Sequence, residues 1–322
     1  MLKHELGRKW RDIPWQEVLE KNVHADKYFM RSGLIRKDLL PLYAAEHMPR
    51  TFVVSSMEDV NQIIHFMEEE DKCSANDLWV LKLSDSSNAF GIHFFHRTDV
   101  ASMAPILGDG QTRVVQKYVQ STLLDGKKFH LRVLVLAVGH LDVYVYDRCR
   151  VLVASAPFSV EALDNSLVHI TNMGINQARN AQYDAAAQNR LLSDVFPAHI
   201  VANVMDQVHR ISRHMFRAVG SNRRHFFSVS NCFELFGVDF MMDDHSRVVM
   251  LEVNPDPSLA MFHDGGMSGQ DSCILPPNVL VDGVPPSFVQ VYSRAQDNAF
   301  RMLKQPQRSS SVYSATCKDH TA

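Results

Sequence analysis

Two carboxylates and one amide within the stretch 237–258 have the types and spacing of ligands for a hard metal ion. Asp239 lies in the apolar run FGVDFMM, and Glu252 and Asn254 lie two positions apart in the next run, VVMLEVN. Alternate residues of a β-strand point to the same face, so Glu252 and Asn254 share a face, and Asp239 joins them if the two strands pair. An oxygen-only ligand set suits Mg²⁺ held together with substrate phosphates. These residues therefore predict a magnesium site, and ordinary solvated strand positions are the open alternative.

Basic side chains within apolar strands are the second chemical signal. Lys82 lies in WVLKL, Lys117 in VVQKYV, and Lys128 and Arg132 in KKFHLRV. A buried lysine must meet an anion or lose its charge, because an unpaired buried ammonium group is costly. Any one of these could instead be an edge-strand or snorkelling lysine. Three such strands together favour a cleft that binds phosphate groups.

Composition limits the classes of protein that could carry these residues. The chain has 322 residues, of which 46% are hydrophobic and 21% charged. These proportions are typical of a folded globular protein rather than of a disordered chain or a coiled coil. Its 33 Lys and Arg residues face 36 Asp and Glu residues. Without a surplus of positive charge, a general nucleic-acid binder is not expected.

Cysteine usage and hydropathy bear on the compartment. The five cysteines are scattered and form no CxxC pair, which argues against a disulfide framework and against a zinc ribbon. The N-terminus MLKHELGRKW has no apolar stretch of the kind found in signal peptides. The longest apolar region, 133–146, is too short to span a bilayer. A cytoplasmic protein without a membrane partner is therefore expected.

The predicted elements that must position these residues are mixed. Short helices are predicted at 15–19, 23–30 and 60–67. Buried strands are predicted for WVLKL, for RVVQKYV and for the pair FHLRVLVLAV and LDVYVYDR, joined by a tight turn at Gly139 and His140. A helical region at 180–220, interrupted at Pro197, precedes a strand–turn–strand unit that carries Asp239. Helices interleaved with mostly antiparallel strands predict an α+β fold.

Several motifs follow one another between about Leu78 and Phe262: WVLKLS, VVQKYV, KKFHLRVLVLA, VYVY, HITN, FELFGVDF and LEVNPDPSL. In this order they resemble the motifs of the tubulin–tyrosine ligase family of ATP-grasp ligases. The resemblance implies an α+β, ATP-grasp-like fold in which two α+β lobes clamp a nucleotide, with a small N-terminal lobe. The corresponding division is an N-terminal lobe at 1–72, an ATP-grasp domain at 73–304 and a polar, Ser-rich, disordered tail at 305–322.

The resemblance also implies ATP and Mg²⁺ as cofactors, and roles for individual residues. The implied catalytic residues are Lys128, Arg132 and Glu252, with the first two facing the phosphates and the acceptor carboxylate. The implied magnesium ligands are Asp239, Glu252 and Asn254, in agreement with the spacing argument. The implied nucleotide-binding residues are Lys82, Gln116, Lys117, Tyr118, Val119, Thr171 and Asn172, of which 116–119 form a hinge strand against the adenine.

Four departures from the family pattern lie on the phosphate and acceptor side. The loop LSDSSNAFGI keeps a single glycine, Gly91, where a glycine-rich loop would wrap phosphates with backbone N–H groups. His130 stands where the family has Asp in the KFDIR pattern. Leu152 and Ala156 replace an Arg and a Glu, and Arg150 is a candidate substitute for the missing Arg.

The implied function is an ATP- and Mg²⁺-dependent carboxylate–amine ligase. It would add a free amino acid to a carboxylate of a protein acceptor, with tubulin tails or microtubules the leading candidate and a cytoskeletal association the consequence. The departures keep open an alternative, a catalytically inactive nucleotide-binding or scaffold member of the family. A small-molecule ligase of the wider ATP-grasp class is the third hypothesis.

Overall fold

The structure is a computed structural model, and it describes residues 3–5, 7–69, 77–86 and 89–262. The helices are α1 (Trp15–Leu19), α2 (Ser32–Ile35), α3 (Pro41–Ala44), α4 (Met57–Glu69), α5 (Ala104–Leu107), α6 (Ser166–His169), α7 (Met173–Arg179), α8 (Ala185–Gln188), α9 (Leu192–Val195) and α10 (Ala198–Gly220). The strands are β1 (Lys3–Glu5), β2 (Val23–Ala25), β3 (Thr51–Val54), β4 (Leu78–Leu83), β5 (His93–His96), β6 (Arg113–Lys117), β7 (Leu123–Leu124), β8 (Lys127–Val138), β9 (Asp142–Val145), β10 (Arg150–Val153), β11 (Asn189–Leu191), β12 (Phe233–Met242) and β13 (Val248–Pro255). Four 3₁₀ turns lie at Trp10–Asp12, Ala45–His47, Arg97–Met103 and Ala260–Phe262.

A four-stranded antiparallel sheet forms the first lobe, with strand order β3-β6-β4-β5. Helix α4 packs its apolar side against this sheet, and Val60, Ile63 and Met67 are buried there with Trp79 and Val115. The helix begins where the sequence provides a cap. The Asp59 carboxylate accepts a hydrogen bond from the Ser56 N–H, and the Ser56 hydroxyl accepts one from the Asp59 N–H at 3.2 Å, so each side chain satisfies a donor at the start of the helix.

A seven-stranded sheet forms the second lobe, with the path β11-β10-β8-β12-β13 and with β7 and β9 also paired to β8. Strand β8 is central and buries both faces. Its residues Phe129, Leu131, Val133, Val135 and Ala137 enter the main core, while Leu134, Leu136 and Val138 enter a second apolar cluster. Such burial on both sides explains why the strand is a nearly continuous apolar run.

The residues before 50 pack mainly with the second lobe. Val18, Val23, Tyr28 and Leu34 are fully buried in the same core as β8. The helix expected at 23–30 is wrong, because Val23–Ala25 forms β2, parallel to β1, and the Ala25 N–H donates to the carbonyl of Asn231. These tertiary hydrogen bonds outweigh a weak local helix propensity. The division of the chain at residue 72 stays a prediction.

The region 180–220 is helical, as expected, with one strand inside it. Pro197 directly precedes α10, and Phe196 before it is extended, as the residue preceding a proline prefers. The short strand β11 pairs with β10 and was not predicted. The hairpins β8–β9 and β12–β13 confirm the predicted strand pairs.

The predicted α+β class is confirmed. The predicted disordered tail at 305–322 lies outside the described residues. Among the described helices, none combines the length and the apolar character needed to cross a bilayer.

Candidate nucleotide site

A cavity of about 670 Å³ lies between the two sheets. Residues from both lobes line it, and the connection 118–122 crosses from one lobe to the other beside it. Every residue to which the sequence assigns a site role is at this cavity: Lys82, Gln116, Lys117, Tyr118, Val119, Lys128, Arg132, Thr171, Asn172, Asp239, Glu252 and Asn254. The roles themselves stay predictions, but the tertiary structure brings the residues together.

The floor of the cavity follows from strand register. Lys128, His130 and Arg132 are alternate residues of β8 and therefore point to the same face. In the neighbouring strands Arg132 pairs with Asp239, and Asp239 pairs with Glu252. The guanidinium group of Arg132 and the carboxylates of Asp239 and Glu252 therefore lie side by side across β8, β12 and β13.

Arg132 and Asp239 form a buried, two-pronged ion pair. The Nε and Nη2 atoms of Arg132 donate to the two oxygens of Asp239, the second at 2.9 Å. Burial alone would lower the pKa of Arg132, but the adjoining Asp239 carboxylate outweighs it and raises that pKa. The Asn254 amide also donates to Asp239, at 3.1 Å. Asp239 is thus fully engaged by protein donors.

The three predicted metal ligands fit a magnesium ion in chemistry. Asp239, Glu252 and Asn254 offer carboxylate and amide oxygens on the paired strands β12 and β13. The Asn254 amide donates through its nitrogen, so its Oδ1 is the group available to a cation. Among the described residues Lys37 forms an ion pair with Glu252, with 3.8 Å between Nζ and Oε2, and the Glu252 charge also acts on Lys82 and Arg132. Glu252 and the Asn254 Oδ1 are thus the oxygens open to Mg²⁺, whereas Asp239 would first have to release a donor.

Lys82 is held by a chain of polar contacts. Its Nζ donates to the Gln116 side-chain oxygen at 2.8 Å, and the Gln116 amide donates to the Thr51 hydroxyl at 3.0 Å. Burial is the main cause of the lowered pKa of Lys82, and Glu252 opposes it. Gln116 therefore positions Lys82 across the first sheet.

Lys128 is the second buried ammonium group at the cavity. Its Nζ lies 4.0 Å from the centre of the Tyr118 ring, a cation–π contact. Burial, reinforced by repulsion from Lys82, lowers the pKa of Lys128 to about 7. The ammonium groups of Lys82 and Lys128 are both shielded from water and repel each other, so a bound anion would stabilise their charged forms.

One end of the cavity is aromatic and apolar. The Tyr118 hydroxyl lies 3.0 Å from His169 Nδ1, and His169 Nε2 lies 3.1 Å from the carbonyl of Ala162. Since a carbonyl can only accept, Nε2 carries the proton and Nδ1 accepts from Tyr118. The ring of Phe94 lies 4.7 Å from His169. Burial lowers the pKa of His169 to about 4, so this imidazole is neutral at neutral pH, and the Lys128 ammonium group is the charge beside the Tyr118 ring.

His130, at the position where the family pattern has Asp, is neutral. Its Nδ1 forms a hydrogen bond with the Thr171 hydroxyl, and its Nε2 lies 3.6 Å from an oxygen of Asp239. Burial and the nearby Arg132 lower the pKa of His130 to about 3. The neighbouring Asn172 caps α7 by accepting from the Ile175 N–H at 3.3 Å.

Two basic residues that were expected at the cavity, Lys117 and Arg150, direct their charged groups to other partners. The Lys117 ammonium group forms an ion pair with Asp77 at 3.1 Å, because Lys117 and Gln116 point to opposite faces of β6. Arg150 lies with its guanidinium 5.6 Å from the Phe262 ring and is not among the described residues that line the cavity, whereas Leu152 is. The role of Arg150 as a substitute for the missing cation of the family pattern stays a prediction.

Sequence reasoning left two cavity residues without a role. Lys37 contacts both the Ser86 carbonyl and, more distantly, Glu252, so it joins the loop after β4 to the metal-ligand row. His169 orients Tyr118. Lys37 lies in a charged stretch without a spacing signal that points to the cavity, whereas His169 begins the motif HITN, whose Thr171 and Asn172 already have implied roles there.

A comparison with models of protein families identifies the family of this chain. The family model described as the tubulin-tyrosine ligase family matches residues 9–265, most of the chain. This chain belongs to the tubulin–tyrosine ligase family. The resemblance inferred from the ordered motifs is thereby confirmed.

Curated relatives in this family have names that point to tubulin. The chain is 34% identical over 157 residues to the probable tubulin–tyrosine ligase PBY1 of Saccharomyces cerevisiae, covering 45% of this chain and 21% of that protein. It is 29% identical over 272 residues to the probable tubulin polyglutamylase TTLL2 of Mus musculus, covering 77% of this chain and 47% of that protein. The chain thus spans less than half the length of these relatives.

A solved structure supports the fold. The C-terminal domain of K. lactis Pby1, described as an ATP-grasp enzyme interacting with the mRNA decapping enzyme Dcp2, superimposes with a TM-score of 0.58 at 22% identity. The match covers 84% of this chain and 77% of that chain. The predicted ATP-grasp fold is confirmed, and a ligase-type enzyme is the class that the family supports.

Proposed function

We propose that this chain binds Mg-ATP in the cavity between its sheets and joins an amino acid to a carboxylate of a protein acceptor. The observation that carries the proposal is the pair of buried ammonium groups, Lys82 and Lys128, which repel each other across the cavity. Beside them lies a row of carboxylates on β12 and β13. Polyphosphate with a bound divalent cation is the ligand that complements both charge patterns.

Each part of the cavity would meet a different part of the nucleotide. The apolar end around Tyr118 and His169 suits a flat purine ring. The lysines suit the phosphates, and Glu252 and Asn254 offer oxygens for magnesium. A phosphate group near Arg132 would compete with Asp239 for the guanidinium, which would free a carboxylate oxygen for the metal.

Two displacement steps account for the chemistry. A carboxylate oxygen of the acceptor attacks the γ-phosphorus of ATP, the bond to the bridging oxygen breaks, and ADP leaves. The amine of the amino acid then attacks the acyl carbon and loses a proton to solvent, the bond from the acyl carbon to the phosphate oxygen breaks, and phosphate leaves with an amide formed. Cations held around the phosphoryl group lower the barrier of the first step, because negative charge develops on its oxygens.

The acceptor is proposed from the names of the relatives. Since several relatives are named tubulin ligases or polyglutamylases, acidic tubulin tails are the first acceptor to try, and a cytoplasmic, cytoskeleton-associated protein is the matching location. A second candidate function is an inactive nucleotide-binding member. The neutral His130 and the apolar Leu152 at the cavity favour it, because both remove charge where the family pattern has ionic groups.

Thermal shift with Mg-ATP tests the cavity. A ligand that binds only the folded chain stabilises it by about 2.7 kcal/mol at a hundredfold excess over its dissociation constant. We expect a shift in the wild type that Lys82→Ala and Glu252→Gln lose or reduce. Lys127→Ala is the matched control, since Lys127 is next to Lys128 but outside the described cavity lining. An equal shift in all four proteins would contradict the assignment.

Turnover separates the two candidate functions. In the presence of tubulin tail peptides and a panel of amino acids, the ligase proposal expects ADP release and a mass increase of the peptide, both abolished in Glu252→Gln without unfolding. Full activity in that variant would overturn the metal assignment. Mg-ATP binding without turnover on a broad acceptor panel would instead support the inactive member.

A further inference from the structure

A cluster of metal-binding side chains lies away from the nucleotide cavity. Glu46 and His47 belong to the 3₁₀ turn Ala45–His47 that directly follows α3, and His214 lies on α10, which packs against α3. Among the described residues these three form the group whose ligand atoms converge. Glu46 and His47 also line a second cavity, of about 950 Å³.

The three ligand atoms lie at the separations of a coordination sphere. His214 Nδ1 is 2.6 Å from Glu46 Oε1 and 2.8 Å from His47 Nε2, and His47 Nε2 is 3.7 Å from Glu46 Oε1. Ligands of a tetrahedral zinc ion, with bonds of about 2.0–2.1 Å, lie about 3.3 Å from one another. The observed separations bracket that value, so small side-chain shifts would place all three atoms around one ion.

Hydrogen bonding within the cluster leaves a conflict that a cation would resolve. His214 Nδ1 is close to both of its neighbours. If His214 Nδ1 carries the proton, that single N–H must donate to both Glu46 and His47. If His47 Nε2 carries the proton, then lone pairs of His214 and Glu46 face each other at 2.6 Å. A cation among the three ligand atoms, which lie within 4.8 Å of one another, would remove this conflict because each atom could offer it a lone pair.

We propose that Glu46, His47 and His214 bind a divalent cation of the zinc class. Two imidazole nitrogens and one carboxylate oxygen make a ligand set that zinc accepts, whereas magnesium prefers oxygen alone. Water or a ligand in the adjoining cavity would complete the coordination. The site is distinct from the oxygen-only row of Asp239 and Glu252, and it does not depend on the proposed ligase function.

The position of the site defines its consequence. The cation would join the turn after α3 to the C-terminal half of α10, two elements whose ligands are 167 residues apart in sequence. Solvent reaches it, because the side chains of Glu46 and His214 are 62% and 47% exposed. Zinc binding should therefore be reversible and should stabilise the packing of the segment before residue 50 on the second lobe.

The test is zinc binding by the full chain after treatment with a chelator. Excess Mg²⁺ is present to saturate oxygen sites, and a chromogenic zinc indicator competes for the metal. We expect the wild type to hold one more zinc ion per chain than His47→Gln, His214→Gln or Glu46→Gln, and zinc to raise the thermal midpoint of the wild type alone. His199→Ala is the matched control, an exposed histidine on the same helix.

Further controls keep the outcome decisive. Glu252→Gln should retain the zinc, and Co²⁺ in place of zinc should give a d–d spectrum without a thiolate charge-transfer band, which excludes binding by cysteine. Equal zinc content in the wild type and the His47, His214 and Glu46 variants would overturn the proposal. So would loss of zinc in Glu252→Gln with retention in His214→Gln. Circular dichroism of the metal-free variants verifies that each of them folds.

Discussion

Lys128 shows at the scale of one residue how a fold can prepare an ionisable group for a ligand. Its ammonium group lies over the Tyr118 ring, dehydrated and near a second lysine. The pKa of about 7 reflects burial first and Lys82 second. Such a group is close to losing its proton in the free protein, and an adjacent polyphosphate would restore its charge.

This arrangement predicts a pH dependence of Mg-ATP affinity. Below about pH 7 Lys128 already carries its proton, so binding requires none. Above that pH the free protein must take up a proton as the anion binds, so the affinity falls as the pH rises, by up to about tenfold per pH unit for one group. Lys82, whose pKa burial also lowers, acts in the same direction.

Isothermal titration calorimetry between about pH 7.5 and 9, where phosphate groups are fully ionised, measures this effect. Proton uptake is obtained from the same titration in two buffers of different ionisation enthalpy. Lys128→Arg is the matched variant, because an arginine keeps its charge throughout this range. A wild-type affinity that is constant with pH, or an equally steep slope in Lys128→Arg, would contradict the proposed role of Lys128.

At the scale of elements, Asn172 combines two roles that experiments can separate. Its side chain caps α7, and Asn165 caps α6 in the same manner, accepting from the Leu167 N–H at 3.0 Å. Of these two asparagines, Asn172 lines the cavity between the sheets and Asn165 is not among its described lining residues. Replacing either cap by alanine should lower the free energy of unfolding by about 1 kcal/mol.

Serine at position 172 distinguishes the cap from a ligand contact. Asn172→Ser should keep most of the stability, because serine is a good N-cap, while Mg-ATP affinity falls as in Asn172→Ala. Asn165→Ala should lose stability without loss of affinity. Urea unfolding and calorimetry provide the two readouts. Wild-type affinity in Asn172→Ser would show that Asn172 serves the helix alone.

At the scale of the whole molecule, a buried ion pair joins the segment before residue 50 to the second sheet. Arg31 Nε lies 3.1 Å from Glu234 Oε1, and the Tyr28 N–H donates to the other oxygen at 3.0 Å. Burial raises the pKa of Glu234 to about 8, against the opposing charge of Arg31. Removing Arg31 would leave the buried Glu234 carboxyl group without its neighbouring positive charge.

Arg31→Met should therefore lower the free energy of unfolding by about 1–3 kcal/mol, because a carboxyl group whose pKa is already about 8 can take up a proton when its cation is removed. The double variant Arg31→Met with Glu234→Gln should recover much of this loss. Arg210→Met is the surface control, since Arg210 pairs with Asp206 where both side chains are largely exposed, and its effect should stay within about 1 kcal/mol. Urea unfolding measures all three, and a similar cost for Arg31 and Arg210 would contradict the argument.

Local patterns in the sequence determined much of the fold and of the candidate site. The two-residue period of β-strands places Glu252 beside Asn254 on one face and Lys128 beside Arg132 on another, whatever surrounds them. The long apolar runs predicted β8 and β12, and helical spacing predicted α4. Such signals are strong because they depend only on backbone geometry and on the burial of neighbouring residues. The helix expected at 23–30 failed where local preference was weak.

Only the tertiary structure decided which distant side chains meet. The register of β8 against β12 sets Arg132 on Asp239, 107 residues away, and no spacing rule predicts that pairing. Lys37 reaches the cavity beside β13, against which α2 packs, and His47 meets His214 across 167 residues because α3 packs against α10. Packing between elements depends on the summed burial of many side chains. For that reason the sequence alone determined the kinds of groups and their faces, while the structure determined their partners.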